Sequence, residues 1–303
     1  METPLLSVII LTFNEAVHLE RCLNNVRPLG ARLYIVDSGS TDATLEIARR
    51  HQAEIWEHPF VNQAEQFQWA LENLEIQTPW LMRLDADEYL EAQALTELAD
   101  RLPGLPAAIS GIYLRRKVYF QRQWIRHGGF YPQTLLRVWR TGQGRIEQRW
   151  MDEHMVLPPG AKTITLRGQM VDENLKGLTF WIDKHNRYAS REAADLLNNK
   201  YALFPRDESL KQLDDPQARR KRLIKEKIYS KLPPGPRALL YFLYRYIFLL
   251  GFLDGANGFT WHFMQGFWYR FLVDVKMMEI EKRAGGEIEK IRQILREEHG
   301  ISL

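Results

Sequence analysis

Short apolar runs that alternate with helical patterns constrain the fold of this chain most strongly. The first run, at residues 6–12, is rich in β-branched residues, too short for a typical helix and suited to a strand buried on both faces. A helical pattern follows it, and a second apolar run at residues 33–36 precedes another helical pattern. Runs at residues 53–56 and 79–84 continue the alternation. This order predicts an α/β fold with a mostly parallel central sheet and helices on its faces.

Polar residues collect where the predicted strands end, at residues 12–15, 37–42 and 85–88. Ligands of parallel sheets bind outside the carboxyl ends of the strands, so we expect these three clusters to form one site. Asp85 and Asp87, which are separated by one small residue, are placed to hold a divalent cation and, through it, a diphosphate. Acidic turns also follow strands for conformational reasons alone. The interpretation therefore depends on the other two clusters.

The residue types in these clusters suit a nucleotide diphosphate. Asp37 can accept hydrogen bonds from a base or ribose, while Thr12 and Asn14 can contact the base or a phosphate. Asp87 can ligate a metal that bridges two phosphate oxygens. The structural alternative is that Asn14 and Glu15 merely begin a helix.

Three segments resemble the inverting family 2 glycosyltransferases with the GT-A fold, in the family's order and at its spacing: residues 7–15, 35–42 and 84–88. Three more resemble a bacterial subgroup similar to the lipopolysaccharide core β-1,4-glucosyltransferases: residues 124–132, 136–139 and 184–189. The resemblance covers most of residues 5–275. It implies a GT-A fold, a nucleotide-sugar donor, expected to be a UDP-sugar, and Mn²⁺ or Mg²⁺ as cofactor.

The resemblance also implies roles for individual residues. The nucleotide-sugar-binding set would consist of Thr12, Phe13, Asn14, Glu15, Asp37, Asp85 and Arg137. The metal would be held by Asp87 and Asp85, with His154 as a further candidate ligand.

An inverting transferase needs a base that takes the proton from the acceptor hydroxyl. The family supplies it from an acidic pair well after the metal motif, and the matching pair here is Asp152 and Glu153. Glu153 is the first choice and Asp152 the second. The subgroup more often has His-Glu at this place, so the choice between the two stays open.

Length and composition agree with one catalytic domain and an appendage. The chain has 303 residues, enough for a large core. We expect residues 1–195 to form the catalytic domain, with the nucleotide-sugar half up to about residue 100 and the acceptor half at 101–195, and residues 196–303 to form a helical carboxyl-terminal region. The single cysteine, Cys22, excludes an internal disulfide and fits a reducing compartment. No secretory signal is expected.

The carboxyl-terminal region has the composition of a membrane-associating appendage. Basic residues at 219–237 precede two aromatic-rich stretches, at 238–253 and 258–278. The first stretch would span about 24 Å as a helix, short of the roughly 30 Å hydrocarbon core. We therefore expect interfacial amphipathic helices over residues 238–278. The residues expected at the membrane surface are Arg245, Phe259, Trp261, Phe267 and Trp268. The alternative is a buried helical hairpin that packs on the catalytic domain or on another subunit.

Together these features predict an inverting glycosyltransferase at the cytoplasmic face of the inner membrane, peripheral or monotopic. It would move a sugar to a lipid-linked or membrane-glycan acceptor. Its partners would be the donor, the acceptor and the membrane surface, without nucleic acid and with homo-oligomerisation open. A sugar nucleotidyltransferase would be expected to carry a Gly-rich basic loop after the first strand, which residues 12–15 do not form. A catalytically inactive nucleotide-sugar-binding scaffold is the other alternative, and no acid is missing that would favour it.

Overall fold

The amino-terminal apolar runs form strands in the computed structural model, which describes residues 4–148, 150, 153–204, 229 and 232–301. Four strands pair side by side in parallel, in the order β3-β2-β1-β4. Their bounds are Leu6–Thr12 for β1, Arg32–Asp37 for β2, Glu54–Glu57 for β3 and Trp80–Arg83 for β4. Nearly every side chain of β1 and all four of β4 are buried, as expected for strands covered on both faces.

Helices cover both faces of this parallel half. Their bounds are Ala16–Val26 for α1, Thr44–Arg50 for α2, Gln63–Asn73 for α3 and Ala92–Arg101 for α4. One apolar cluster packs α1 and α4 on the sheet through Leu19, Leu23 and Leu98, while a second cluster on the other face includes Phe67 of α3. The two clusters form the core of the α/β part.

The second half of the sheet is mixed. It consists of β5 (Glu88–Leu90), β6 (Ile109–Phe120), β7 (Gln123–Ile125), β8 (Gln133–Arg140) and β11 (Lys162–Glu173), and β9 (Arg145–Ile146) and β10 (Met155–Val156) form a separate pair. Strand β8 lies antiparallel between β4 and β6, β11 is parallel to β6, and β5 is antiparallel to β11. The expectation of a mostly parallel sheet therefore holds for β1 to β4. Beyond β4, connections such as the two-residue turn between β6 and β7 are too short for a parallel crossover.

The carboxyl-terminal region is helical, as expected. Its α-helices are α5 (Leu178–Tyr201), α6 (Pro236–Leu243), α7 (Gly255–Trp261), α8 (Tyr269–Ala284) and α9 (Ile288–His299). A third apolar cluster joins α5 to α8 and α9. The predicted domain boundary at residue 195 falls inside α5, whose buried face packs on those helices. The division of the chain into domains stays a prediction.

A bent hairpin, residues 236–284, carries the aromatic stretches. Its arms, Pro236–Phe248 and Gly251–Ala284, meet at 73°. Among the described helices no single one is long and apolar enough to cross a membrane, whereas the two arms pass that test when taken together. The basic residues predicted at 219–231 lie outside the described residues.

Three of the residues expected at a membrane surface pack against other parts of the protein. Trp261 is only 7% exposed and packs on Phe120 and Phe130. Trp268 packs on Trp181. The buried guanidinium of Arg245 lies 3.5 Å from the centre of the Phe130 ring. The expectation is wrong for the buried Arg245 and Trp261, because composition does not reveal which side of a helix faces the protein. For the half-buried Trp268 it stays a prediction.

The other two aromatic residues remain accessible to solvent. Phe259 is 48% exposed and Phe267 is half-buried. Their position at a membrane surface stays a prediction.

Candidate active site

A cavity of about 1500 Å³ opens at the carboxyl edge of β1 and β4. It is bounded by the loops after β1, β2 and β4, by β6, β8, β11 and α5, and by the hairpin. All three polar clusters predicted from the sequence reach its wall: residues 12–15, Ser38, and Asp85 with Asp87. The parallel topology thus brings the three clusters together.

Asp37 is buried in the loop that it organises. Its side chain is 0% exposed, and its two oxygens accept hydrogen bonds from the Thr12 hydroxyl (2.7 Å), the backbone N–H groups of Gly39 and Ser40 (2.9 and 2.7 Å) and the Ser40 hydroxyl (2.6 Å). The protein itself fills the acceptor sites of the Asp37 carboxylate, and the contact between Asp37 and a nucleotide stays a prediction. Ser38, the next residue, lines the cavity instead.

Of the residues after β1, Asn14 and Glu15 interact with other side chains or backbone groups of the protein, whereas Phe13 faces the cavity. Asn14, at φ 54°, accepts a hydrogen bond from the Thr41 backbone N–H at 2.8 Å. Glu15 lies 2.8 Å from the Lys176 ammonium. Phe13 is 56% exposed and lines the cavity. Its ring is the surface on this loop that a flat base can contact.

Asp85 lies between two arginines on the cavity floor. Its carboxylate is 3.6 Å from Arg83 and 3.8 Å from Arg137. Burial acts to raise the pKa of Asp85, but Arg83 and Arg137 outweigh it and hold that pKa below its usual value. Arg137 is itself buried and donates to Glu88 at 2.5 Å. Its guanidinium is thus committed to the acidic loop, where it positions Asp85.

Asp87 completes an acidic cluster. Its Oδ2 accepts a hydrogen bond from Asn174 at 2.9 Å. Asp172 lies nearby and is 3.2 Å from Arg116, and burial, opposed by Arg116 and reinforced by Asp87, raises the pKa of Asp172. Burial, opposed by Arg137, raises the pKa of Glu88 to about 8. Several carboxyl groups are therefore concentrated at this end of the cavity.

The donor set fits a divalent cation that shares its ligands with a substrate. Within the described residues no three His, Cys, Asp or Glu side chains are close enough to hold a metal by themselves. Mg²⁺ is commonly bound by one or two carboxylates together with substrate phosphates, and Asp85 and Asp87 match that chemistry. His154 does not join them. It lies on the cavity wall with Nδ1 3.8 Å from Glu147, so the structure does not support it as a third ligand.

The candidate base Glu153 lines the same cavity. Its carboxylate accepts a hydrogen bond from Arg83 Nη2 at 3.3 Å, so Arg83 connects Glu153 with Asp85. Asp152 lies outside the described residues. The acid at position 153 therefore faces the acidic loop across one shared arginine.

Sequence reasoning assigned no role to several residues of the cavity wall. Arg83 falls within the apolar run at residues 79–84, and a charged residue in such a run is itself a signal. Helix α5 contributes Trp181, Lys184, Arg187 and Arg191. The last three recur at helical spacing, a pattern that can be found in the sequence but not placed on a site without the fold.

The chain is similar in sequence to known proteins. The model of the glycosyl transferase family 2 matches residues 7–167. The lipopolysaccharide core biosynthesis glycosyltransferase LpsC of Rhizobium meliloti (strain 1021) is 29% identical over 198 residues, which cover 62% of this chain and 70% of LpsC. The succinoglycan biosynthesis protein ExoA of the same strain is 29% identical over 145 residues. The match covers 42% of this chain and 44% of ExoA, so the chain spans less than half of ExoA.

One similar solved structure is the mannosyltransferase PcManGT of Pyrobaculum calidifontis in complex with GDP-Man and Mn²⁺. It is 16% identical in sequence, with a TM-score of 0.46, and the match covers 91% of this chain and 88% of PcManGT. The sheet and helices described above have the GT-A architecture that the resemblance implies. The family model spans more than half of the chain, and this protein therefore belongs to glycosyl transferase family 2 and is a glycosyltransferase.

Proposed function

We propose that this glycosyltransferase moves a sugar, with inversion, from a nucleotide sugar to a lipid-linked glycan at a membrane surface. One observation carries the proposal: a single cavity joins the acidic loop of Asp85 and Asp87, the carboxylate of Glu153 and residues of the hairpin such as Gln265. The groups proposed to bind the donor, to activate the acceptor and to face the membrane would thus border the same cavity.

The donor would bind on the side of the acidic loop. Asp87 and Asp85 would hold Mn²⁺ or Mg²⁺, which when bound would neutralise charge on the diphosphate leaving group. Phe13 offers a ring face to the base and Ser38 a hydroxyl. A UDP-sugar is the donor that the family resemblance implies.

Glu153 would act as the general base. Its carboxylate would accept the proton of the acceptor hydroxyl while that oxygen attacks the anomeric carbon from the face opposite the diphosphate. Arg83 would orient Glu153 through their hydrogen bond. Cations on the donor side, Arg116 and Lys184, would stabilise the charge that develops on the leaving group.

The relatives support a cell-surface glycan as the product. LpsC and ExoA are described as proteins of lipopolysaccharide core and succinoglycan biosynthesis. A lipid-linked acceptor is the substrate class that fits both the lipopolysaccharide named for LpsC and the apolar hairpin.

The donor assignment is tested with Asp87→Asn. Thermal shift with UDP should stabilise the wild type more in Mn²⁺ than in chelator, because a ligand that binds only the native state raises apparent stability. The variant should lose the metal-dependent part and most transfer activity, while Asp183→Asn, an exposed acid of α5 outside the cavity wall, should behave as the wild type. Full activity in chelator, or in Asp87→Asn, would contradict the metal assignment.

The membrane assignment rests first on an exposed apolar surface. Among the described residues, twelve of the 21 large apolar side chains that are exposed lie between residues 239 and 275. Phe248, at the bend of the hairpin, is 74% exposed. Soluble proteins rarely expose contiguous apolar surface on this scale unless it is an interaction site.

The charges of the hairpin strengthen the argument. Residues 232–275 contain five acidic or basic side chains, and each has a partner within the protein: Arg237, Arg245, Asp254, Arg270 and Asp274. The exposed side of this stretch is consequently free of ionised groups. A charge-free surface with many aromatic rings suits the lipid interface, where a charge is costly.

The membrane assignment is tested by sedimentation with anionic liposomes. The wild type should co-sediment, and salt should weaken this only partly because inserted rings are not screened. Phe248→Ser/Phe252→Ser/Leu253→Ser should release the protein and leave UDP binding intact.

The matched control, Leu5→Ser/Val17→Ser/Ile288→Ser, removes three exposed apolar side chains elsewhere and should still co-sediment. If the wild type stays in the supernatant and the hairpin triple variant changes the oligomeric state instead, the surface is a subunit interface.

A further inference from the structure

One face of α5 carries three cations into the cavity. Lys184, Arg187 and Arg191 are spaced by three and four residues, so they lie on the same side of the helix. Within the described part of the chain none of their charged groups has an ion pair or hydrogen bond. Arg191 lies only against rings, 5.4 Å from Phe60 and 6.0 Å from Tyr188. Like charges at this spacing destabilise a helix, which is the arrangement expected where an anion binds.

Most other cations of the cavity are already neutralised. Arg116 pairs with Asp172 at 3.2 Å, and Lys176 pairs with Glu15 at 2.8 Å. Arg83, Arg137 and Arg270 also have carboxylate partners. The available positive charge therefore belongs to α5, together with Arg122 in the turn between β6 and β7.

The three cations extend from the donor side to the acceptor side. Lys184 lies in the field of Asp87, Asp172 and Asp85, the donor side of the cavity. Arg191 lies about two helical turns further along α5, 6.0 Å from the Tyr188 ring, where the charges of Tyr188, Arg187 and Glu153 act on it. Because a base must reach the acceptor hydroxyl, the surroundings of Glu153 are the acceptor side.

A row of rings on α5 leads to Arg191, whose guanidinium lies 6.0 Å from the Tyr188 ring, which in turn lies 5.8 Å from the His185 ring. Trp181 stacks on His185 with ring centres 3.6 Å apart and planes at 21°, and both residues line the cavity. Such a surface can pack against the apolar face of a sugar ring. The acceptor side thus combines a sugar-packing surface with available positive charge.

We infer that Arg187 and Arg191 form an anion subsite that binds a phosphate or carboxylate group of the acceptor glycan on the acceptor side of the cavity. This inference rests on the proposed transferase function and adds a substrate class: the acceptor is anionic within reach of the hydroxyl that is glycosylated. The same chemistry would also bind the diphosphate of the donor, so the experiment has to separate the two sources.

The probe is inorganic phosphate, titrated into the full chain and followed by tryptophan fluorescence, first alone and then with saturating UDP and Mg²⁺. We expect phosphate to bind in both states, with dissociation constants within about twofold of each other, since the acceptor subsite is separate from the donor site. Arg187→Gln/Arg191→Gln should weaken phosphate binding at least about tenfold, as expected for loss of charge-assisted hydrogen bonds. Its affinity for UDP should remain within about twofold of the wild type.

The matched control is Arg27→Gln/Arg49→Gln, which removes two exposed arginines outside the cavity and should bind phosphate as the wild type does. Arg187→Lys/Arg191→Lys keeps the charge and should retain part of the phosphate affinity, which separates loss of charge from loss of fold.

If UDP abolishes phosphate binding and the glutamine variant also loses UDP affinity, the arginines hold the donor diphosphate and the inference is wrong. Unchanged phosphate binding in the glutamine variant would also overturn it. Failure of UDP to bind the wild type would count against the proposed function instead, and the phosphate titration would still test the subsite.

Discussion

At the scale of single residues, Glu153 and Arg83 form the connection that defines the site. Arg83 lies at the end of β4, contacts Asp85 at 3.6 Å and donates to Glu153 at 3.3 Å. One buried arginine thereby fixes the distance between the acidic loop and the candidate base. This arrangement supports the proposal that Glu153 accepts the proton of the acceptor hydroxyl.

The first prediction concerns this carboxylate. Glu153→Gln should reduce transfer on the order of a hundredfold or more, because an amide cannot accept the proton, while donor binding should be retained. Asp152→Asn is the matched neighbour and should have a smaller effect. Steady-state transfer assays and UDP titrations measure the two quantities. Near-normal transfer in both variants would mean that the base lies elsewhere.

At the scale of elements, a buried ion pair joins the two arms of the hairpin. The Asp274 carboxylate of α8 accepts hydrogen bonds from Arg237 Nε of α6 at 2.9 Å and from the Gly235 backbone N–H at 2.8 Å. Both side chains are almost completely buried. The pair therefore fixes how α6 lies on α8.

Breaking this pair from one side should be costly. Asp274→Asn leaves the Arg237 charge buried without a counterion, and we expect a loss of about 3–5 kcal/mol in the free energy of unfolding. The double variant Arg237→Met/Asp274→Leu should recover most of that loss, since it removes both charges. Glu54→Gln, which breaks the exposed pair with Arg32, should cost less than about 1 kcal/mol.

Denaturant unfolding of the variants at pH 7 measures these differences. A double variant as unstable as Asp274→Asn would show that the pair contributes through shape rather than through charge.

At the scale of the whole molecule, the hairpin is attached to the catalytic domain by residues 127–129. Asp254 accepts hydrogen bonds from the His127 backbone N–H at 2.9 Å and lies 2.7 Å from its ring, and Arg245 donates to the Gly128 carbonyl at 2.6 Å. His262 fills the space between Gly128 and Gly251, where an added Cβ would come within 2.6 Å or less of its ring. These contacts hold the hairpin against the catalytic domain at residues 127–129.

This joint should make stability depend on pH. His262 is fully buried, neither ring nitrogen has a hydrogen-bond partner among the described residues, and burial lowers its pKa to about 4. The unfolded chain takes up this proton near its ordinary pKa of about 6.5, so between pH 6.5 and 4 the unfolded state binds more protons. The free energy of unfolding should therefore decrease as the pH falls through this window. For one such group the decrease from pH 7 to pH 4.5 is about 2 kcal/mol.

Denaturant unfolding at pH 7 and pH 4.5 tests this for the wild type and His262→Leu. The variant should lose less stability on acidification, although not all of the dependence, because burial also lowers the pKa of His185 to about 4. His51→Leu serves as the control and should keep the wild-type slope. Equal slopes in the wild type and His262→Leu would show that this ring does not titrate as inferred.

The sequence by itself determined the order of strands and helices in the first hundred residues and the edge of the sheet where the site lies. Both follow from local periodicity and from the rule that parallel strands point their carboxyl ends to one side. Asp85 and Asp87 could be placed on that edge for the same reason. The antiparallel second half was less predictable, because strand pairing there depends on contacts distant in sequence.

The tertiary structure alone decided which polar side chains face the cavity. The Asp37 carboxylate accepts hydrogen bonds from its own loop, whereas the next residue, Ser38, lines the cavity. The conformation of the loop decides which of the two neighbours faces the cavity. Arg83 acquires its role only when residue 153 is brought across the sheet. In the hairpin, Trp261 packs inward and Phe248 outward, since the choice depends on which side of the helix meets the catalytic domain. Composition fixes how many apolar rings a segment carries, but packing fixes which of them remain exposed.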